Sequence, residues 1–264
     1  MEKEINNMIP KIIHYCWFGP NPIPEIEKKC IVSWKKFFPD FEFKFWNEKS
    51  FDINSTLYTQ QAYKCKKFAF VSDYVRVKVL SEYGGLYLDT DEEVLSSFSE
   101  ILETNKNFMG FVTRKFLGCG VMGFHENHPL MTELLEYYNT HPFLNKNGNI
   151  DNIANTTILT DSLVKQGLKM DGTYQEINDI VIYNREVFYP KKLSSTEFRC
   201  DFSTIAVHHA SSSWMSEKQK KRGNNKIWIN VIRPVLQNGR KIGLKVLGEN
   251  RIYKIEVYIR NKLK

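Results

Sequence analysis

Between residues 67 and 91 the chain specifies a helix, a glycine turn, a short apolar strand and a pair of acids, and few folds accept that order. Lys67 to Tyr83 carries helical periodicity and stops at Gly84-Gly85, which supply the unusual backbone angles of a tight turn. Leu86-Tyr87-Leu88 then reads as a buried strand that delivers Asp89 and Asp91 to its exposed end. Open α/β sheets bind their ligands there, outside the carboxyl ends of the strands.

The flanking sequence fits an α/β sheet. Ile9 to Trp17 has the apolar and aromatic content of a first strand, followed by turn residues at Phe18-Gly19-Pro20-Asn21-Pro22. Pro24 opens a helix with Ile26, Cys30, Trp34 and Phe37 on one face, and Phe41 to Phe45 alternates as a strand. Strand, helix, strand is the opening unit of a nucleotide-binding sheet. Further strands are expected at Phe108–Val112, Gly120–Phe124 and Ile205–His208, with helices through Leu130–Tyr138 and Asn155–Gln166.

Asp89 and Asp91, two apart on a strand, point the same way and offer oxygen ligands to one hard cation, Mn2+ or Mg2+. An Asp-x-Asp alone is common in solvated turns; its position after an apolar strand and a Gly-Gly break gives it meaning. Asp73 and Arg76 share a helix face, where an ordinary surface ion pair is the plainer reading and orientation of Asp73 toward donor hydroxyls the functional one. Trp17, just before a Gly-Pro turn, is placed to stack a nucleobase. His208 and His209, adjacent on a strand, face opposite ways, so at most one joins the site; Ser213 and Trp214 follow in a loop suited to capping a diphosphate.

These residues resemble glycosyltransferase family 32, the group with the DXD-containing sugar-binding region. The resemblance rests on Ile12-Ile13-His14-Tyr15-Cys16-Trp17-Phe18-Gly19, on Ser72-Asp73-x-x-Arg76, on Tyr83-Gly84-Gly85-x-Tyr87-x-Asp89-x-Asp91, and on His208 with Ser213-Trp214. It runs from about residue 9 to residue 214. What it implies is a GT-A fold, a single Rossmann-like mixed sheet flanked by helices, with a Mn2+-dependent, retaining site. Carried over by position, Trp17 stacks the base, Asp73 and Arg76 contact ribose and donor sugar, and Tyr87 lines that pocket. Asp89 and Asp91 hold metal and ribose, His208 joins the metal, and Trp214 reaches the diphosphate. Asn155, in a stretch that follows only part of the family's pattern, helps shape the sugar pocket. The implied reaction moves a hexose, UDP-galactose first, to a glycan or lipid-linked acceptor, as in bacterial capsule and surface polysaccharide synthesis. GDP-mannose-dependent transfer and toxin-like modification of a protein are the alternatives.

Charge divides the chain at the end of that resemblance. Of the net +7, residues 215–264 carry 14 Lys and Arg against three Glu, so the preceding body is slightly acidic. The catalytic domain is therefore expected over residues 1–214 and a basic, amphipathic helical extension over 215–264. That extension either packs on the body or attaches peripherally to an anionic membrane, and the membrane is the favoured expectation. Nucleic acid is not an expected partner, because no recognition motif accompanies the charge. Met1-Glu2-Lys3-Glu4 lacks the layout of a secretory signal, and the five scattered cysteines suit free thiols. The expected location is cytoplasmic, at the inner face of the plasma membrane.

Overall fold

The computed structural model describes residues 8–146, 148–150, 153–193, 197–211 and 225. Apart from Asn225 these fall in the first of two units into which the chain divides, at Ser211 and Ser212. The expected basic extension, and the roles expected of Ser213 and Trp214, lie outside the described residues.

In chain order the elements are β1 (Ile12–Cys16), α1 (Glu25–Phe37), β2 (Glu42–Trp46), α2 (Leu57–Lys64), α3 (Phe68–Tyr83), β3 (Gly85–Leu88), β4 (Glu92–Val94), α4 (Ser99–Glu103), β5 (Asn107–Thr113), β6 (Phe116–Phe124), α5 (Pro129–Thr140), α6 (Asn155–Lys165), β7 (Gln175–Ile177), β8 (Ile180–Tyr183), α7 (Arg185–Phe188) and β9 (Ala206–His208). Seven strands form one mixed sheet in the order β2-β1-β3-β6-β5-β8-β7, while β4 and β9 pair in a separate ribbon. β1 runs parallel to both β2 and β3, and β6 runs antiparallel to β3 and β5. This is the expected α/β architecture, a mixed sheet between helices; the small ribbon is an addition that the sequence did not announce.

Alternation along the strands sorts the core onto two faces. Tyr87, Met109 and Met122 pack with Val71, Tyr74, Val75, Leu130, Leu134 and Leu159 of α3, α5 and α6. Leu86, Leu88, Phe108 and Val121 pack on the other side with Cys30 and Trp34 of α1 and with Phe98, Ile101 and Phe188. In α1 the inward face differs from expectation by one position: Ile26 is exposed, and Glu27 takes the buried place one turn before Cys30.

Gly85 decides whether β3 can lie beside β1. Its φ is +98°, and a β-carbon there would sit 2.6 Å from the Ile12 carbonyl oxygen. Only glycine combines that backbone angle with that approach.

His14 clamps the same junction from inside. Fully buried, it donates from Nε2 to the Gly84 carbonyl at 2.9 Å and accepts at Nδ1 from the Trp46 indole at 3.1 Å. Burial holds its pKa down at about 4, against a partial upward pull from the Gly84 bond. The unfolded chain takes up this proton near its ordinary value of 6.5, the folded chain only near 4. Stability is therefore fully present above pH 6.5 and is lost as pH falls toward 4, by roughly 3 kcal/mol for this group. Urea melts at pH 7 and pH 4.5 should show that loss in the wild type and a smaller one in His14→Gln; equal slopes would dismiss the clamp.

Candidate active site

Four elements bring the polar groups together. α3 supplies Asp73 and Arg76, the turn after β3 supplies Asp89 and Asp91, β9 supplies His208, and the segment after it supplies Ser211. Trp17 lies just beyond the end of β1, the parallel neighbour of β3, so it shares the carboxyl edge with Asp89. Its indole N–H is spent on the Asn21 carbonyl at 2.7 Å, which fixes the ring against the Gly-Pro turn.

Arg76 is the hub. Only 8% exposed, it reaches Asp73 at 3.3 Å and Asp89 at 2.9 Å, and its guanidinium lies 4.9 Å from the Tyr87 ring centre. The helix pair read from the sequence is thus real, and its second arm to Asp89 is what turns it from a surface pair into part of the site. The Tyr87 hydroxyl donates to the same Asp89 Oδ1 at 3.0 Å, so both donors grip one oxygen.

Asp91 is held differently. The convergence of the two acids does not come from strand alternation, since β3 ends at Leu88 and Asp89 to Glu92 form a turn closed by the Glu92 N–H on the Asp89 carbonyl, 2.9 Å. Asp91 Oδ1 lies 3.2 Å from His208 Nε2, and Oδ2 accepts from the Ser211 backbone N–H at 2.9 Å. His209 turns the other way, to Glu93 at 2.7 Å. Of the two histidines, His208 is the one that lies beside the acids.

Two expected donor contacts need correction. Tyr87 is 1% exposed and acts on the site through Asp89 instead of lining a pocket. Asn155 is equally buried, at 1%, and donates to the Asp73 backbone carbonyl at 2.8 Å. Both are packed behind the carboxylates because their strand and helix positions face the core, a fact that motif matching does not register.

Three groups escaped the sequence reading. Glu27 accepts from the Ser211 hydroxyl at 2.7 Å and so anchors the segment that holds Asp91. Gly120 leaves room for the carboxylates: a β-carbon there would lie 2.3 Å from Glu92 Oε1 and 3.1 Å from Asp89 Oδ2. Glu92 itself is fully buried. The available signal was Val94, whose inward position on a period-two strand puts Glu92 inward too.

Charge is strongly polarised across this cluster. Burial pushes Asp73 up to about 6, with Arg76 pulling it back. Asp91 falls to about 2, because the His208 and Ser211 contacts outweigh burial. His208 rises to about 10, since Glu92, Asp91 and Asp89 together outweigh its burial. Single donor atoms of Asp89, Asp91 and His208 lie within 4.8 Å of one another, and the described hydrogen bonds to Asp89 all fall on Oδ1, so the donor set fits a divalent cation.

Removing the Tyr87 hydroxyl should cost about 1 kcal/mol, whereas Arg76→Ala strands two carboxylates and should cost about 3–5 kcal/mol. Chemical denaturation of Tyr87→Phe and Arg76→Ala tests that ranking; equal losses would contradict the hub.

Comparison with known proteins finds glycosyltransferases. Residues 24–108 match the family model described as a glycosyltransferase sugar-binding region containing a DXD motif. An uncharacterized glycosyltransferase of Acanthamoeba polyphaga mimivirus is 28% identical over 222 residues, covering 78% of this chain and 84% of that protein. Inositol phosphoceramide mannosyltransferase 3 of Schizosaccharomyces pombe is 30% identical over 142 residues, covering 48% of this chain and 36% of the yeast protein. The solved structure of the PaToxG glycosyltransferase aligns with a TM-score of 0.48 at 17% identity, covering 61% of this chain and 70% of that one. The Asp-x-Asp turn lies inside the matched stretch, and these similarities are to glycosyltransferases, the matched region being of the DXD-containing kind.

Proposed function

We propose that the protein transfers a hexose from a nucleoside diphosphate sugar to a hydroxyl of a glycan or glycolipid, with a divalent cation, Mn2+ first, and with retention of anomeric configuration. The observation that carries this is the meeting of Asp89, Asp91 and His208 at one edge of the sheet, with Trp17 at the neighbouring strand end. Two carboxylates and one imidazole suit Mn2+ better than Mg2+, which favours oxygen alone. When bound, that ion supplies Lewis-acid stabilisation of charge on the departing diphosphate.

The chain's own residues do the rest. Trp17 stacks the base, and its pinned ring costs little further ordering on binding. Arg76 keeps Asp73 and Asp89 fixed, so that Asp73 can accept from donor hydroxyls without rearranging. Ser213 and Trp214 are assigned to the diphosphate by sequence position. The acceptor oxygen forms its bond to the anomeric carbon on the face from which the diphosphate oxygen departs, and the acceptor proton passes to that departing oxygen. Positioning supplies most of the remaining acceleration. UDP-galactose, expected from the sequence, and GDP-mannose, suggested by the mannosyltransferase relative, are the first two donors to screen.

That relative is named for a lipid-borne acceptor, which supports a glycolipid acceptor here, and the basic residues 215–264 would suit an anionic membrane. Among the described residues no helix is long and apolar enough to cross a membrane. Flotation of the full chain should occur with anionic liposomes and fail with neutral ones or at high salt; no difference between the lipids removes the membrane from the account. For the chemistry, Asp91→Ala should stay folded yet lose cation-stimulated transfer and thermal stabilisation by UDP with Mn2+. Wild-type turnover in that variant would end the proposal.

A further inference from the structure

Glu92 is the group in the cluster that the reaction described above does not use. It is 0% exposed, and neither carboxyl oxygen has a hydrogen-bond partner among the described residues. Burying a carboxyl unsatisfied on both oxygens is costly unless charge or a donor arrives beside it. Its backbone cannot swing it away: the N–H is held by the Asp89 carbonyl at 2.9 Å and the carbonyl by the Trp34 indole at 2.6 Å.

Its direction is toward the cation site. Glu92 and His208 are direct partners in the β4–β9 register, so their side chains leave the same face of the ribbon. Oε1 and Asp89 Oδ2 approach the same spot above Gly120, at 2.3 and 3.1 Å from where a β-carbon would stand. The cationic groups nearby are already engaged, Arg76 by Asp73 and Asp89, and His208 by Asp91. Glu92 does not belong to the set of donors that lie within 4.8 Å of one another, which puts it one layer behind direct contact.

We infer that Glu92 is a positioning residue of the cation site, closing it from the buried side by accepting from a water carried on the ion. This rests on the cation reading given above and adds a fourth protein group to it. A divalent ion that keeps part of its hydration shell gives the carboxyl a donor and a compensating charge at once. Outer groups of this kind commonly set affinity on the order of 10–100-fold.

The test is calorimetric titration of Mn2+ into protein with UDP, for wild type, Glu92→Gln, Glu92→Val and Asp91→Asn, with melting temperatures measured in EDTA. Glu92→Gln should weaken Mn2+ binding on the order of tenfold or more. Its melting temperature in EDTA should match the wild type's, because the amide fills the same buried space. Glu92→Val supplies the same comparison if the glutamine variant does not fold. Wild-type Mn2+ affinity in the variants, with binding lost in Asp91→Asn, overturns the role of Glu92 and leaves the cation site standing. An EDTA stability loss with unchanged affinity marks Glu92 as merely structural and also overturns it. A wild type that binds no Mn2+ defeats both readings together.

Discussion

The guanidinium of Arg76 is the interaction on which the rest of the site depends. It rises from the middle of α3, and through its two arms it ties Asp73, on its own helix, to Asp89, on the far side of the Gly84-Gly85 turn. Helix, turn and strand therefore have one permitted geometry, in which both carboxylates share a buried positive charge. A bidentate planar cation is needed for this; a lysine could satisfy one acid at a time. The tyrosine ring beneath the guanidinium contributes a second face of contact and a hydroxyl to the same oxygen. What is left over is the other oxygen of Asp89, turned toward Asp91 and the ribbon.

The ribbon is the second constraint. β4 follows directly from the acidic turn, and β9 pairs with it antiparallel, Glu92 opposite His208 and Val94 opposite Ala206. That pairing places an imidazole against Asp91 and a backbone N–H from Ser211 on its second oxygen. Glu27 then secures Ser211 from α1. Asp91 is thus held on both oxygens while Asp89 is gripped on Oδ1 alone, so the electrostatic field of the cluster is directed and not diffuse.

The sequence disclosed the fold where local chemistry was strong. The α3 helix, the glycine turn, β3 and the first strand–helix–strand unit are visible because periodicity and breakers coincide there. The helix at Pro129 is equally plain, with His128 accepting the Leu130 N–H at its start. Short elements such as α2 and β7 carried too few residues for a period to register, and β4, whose three residues offer only the alternation of Glu92 and Val94, was the costly omission because it places Glu92. The motif residues were readable as a set; their division of labour was not. Tyr87 and Asn155 differ from exposed ligands only by which side of an element faces the core. The i, i+2 spacing of Asp89 and Asp91 suggested a strand, whereas the acids actually meet across a turn, a distinction that hydrogen bonds make and composition does not.

The pairing of Asp91 with Ser211 joins positions 120 residues apart in the chain. Contacts of such long sequence separation form late, after the entropy of closing the intervening loop has been met. During synthesis the acidic turn leaves the ribosome well before its imidazole partner exists. A nascent chain thus carries the motif without being able to complete it. Competence arrives only when β9 docks against β4.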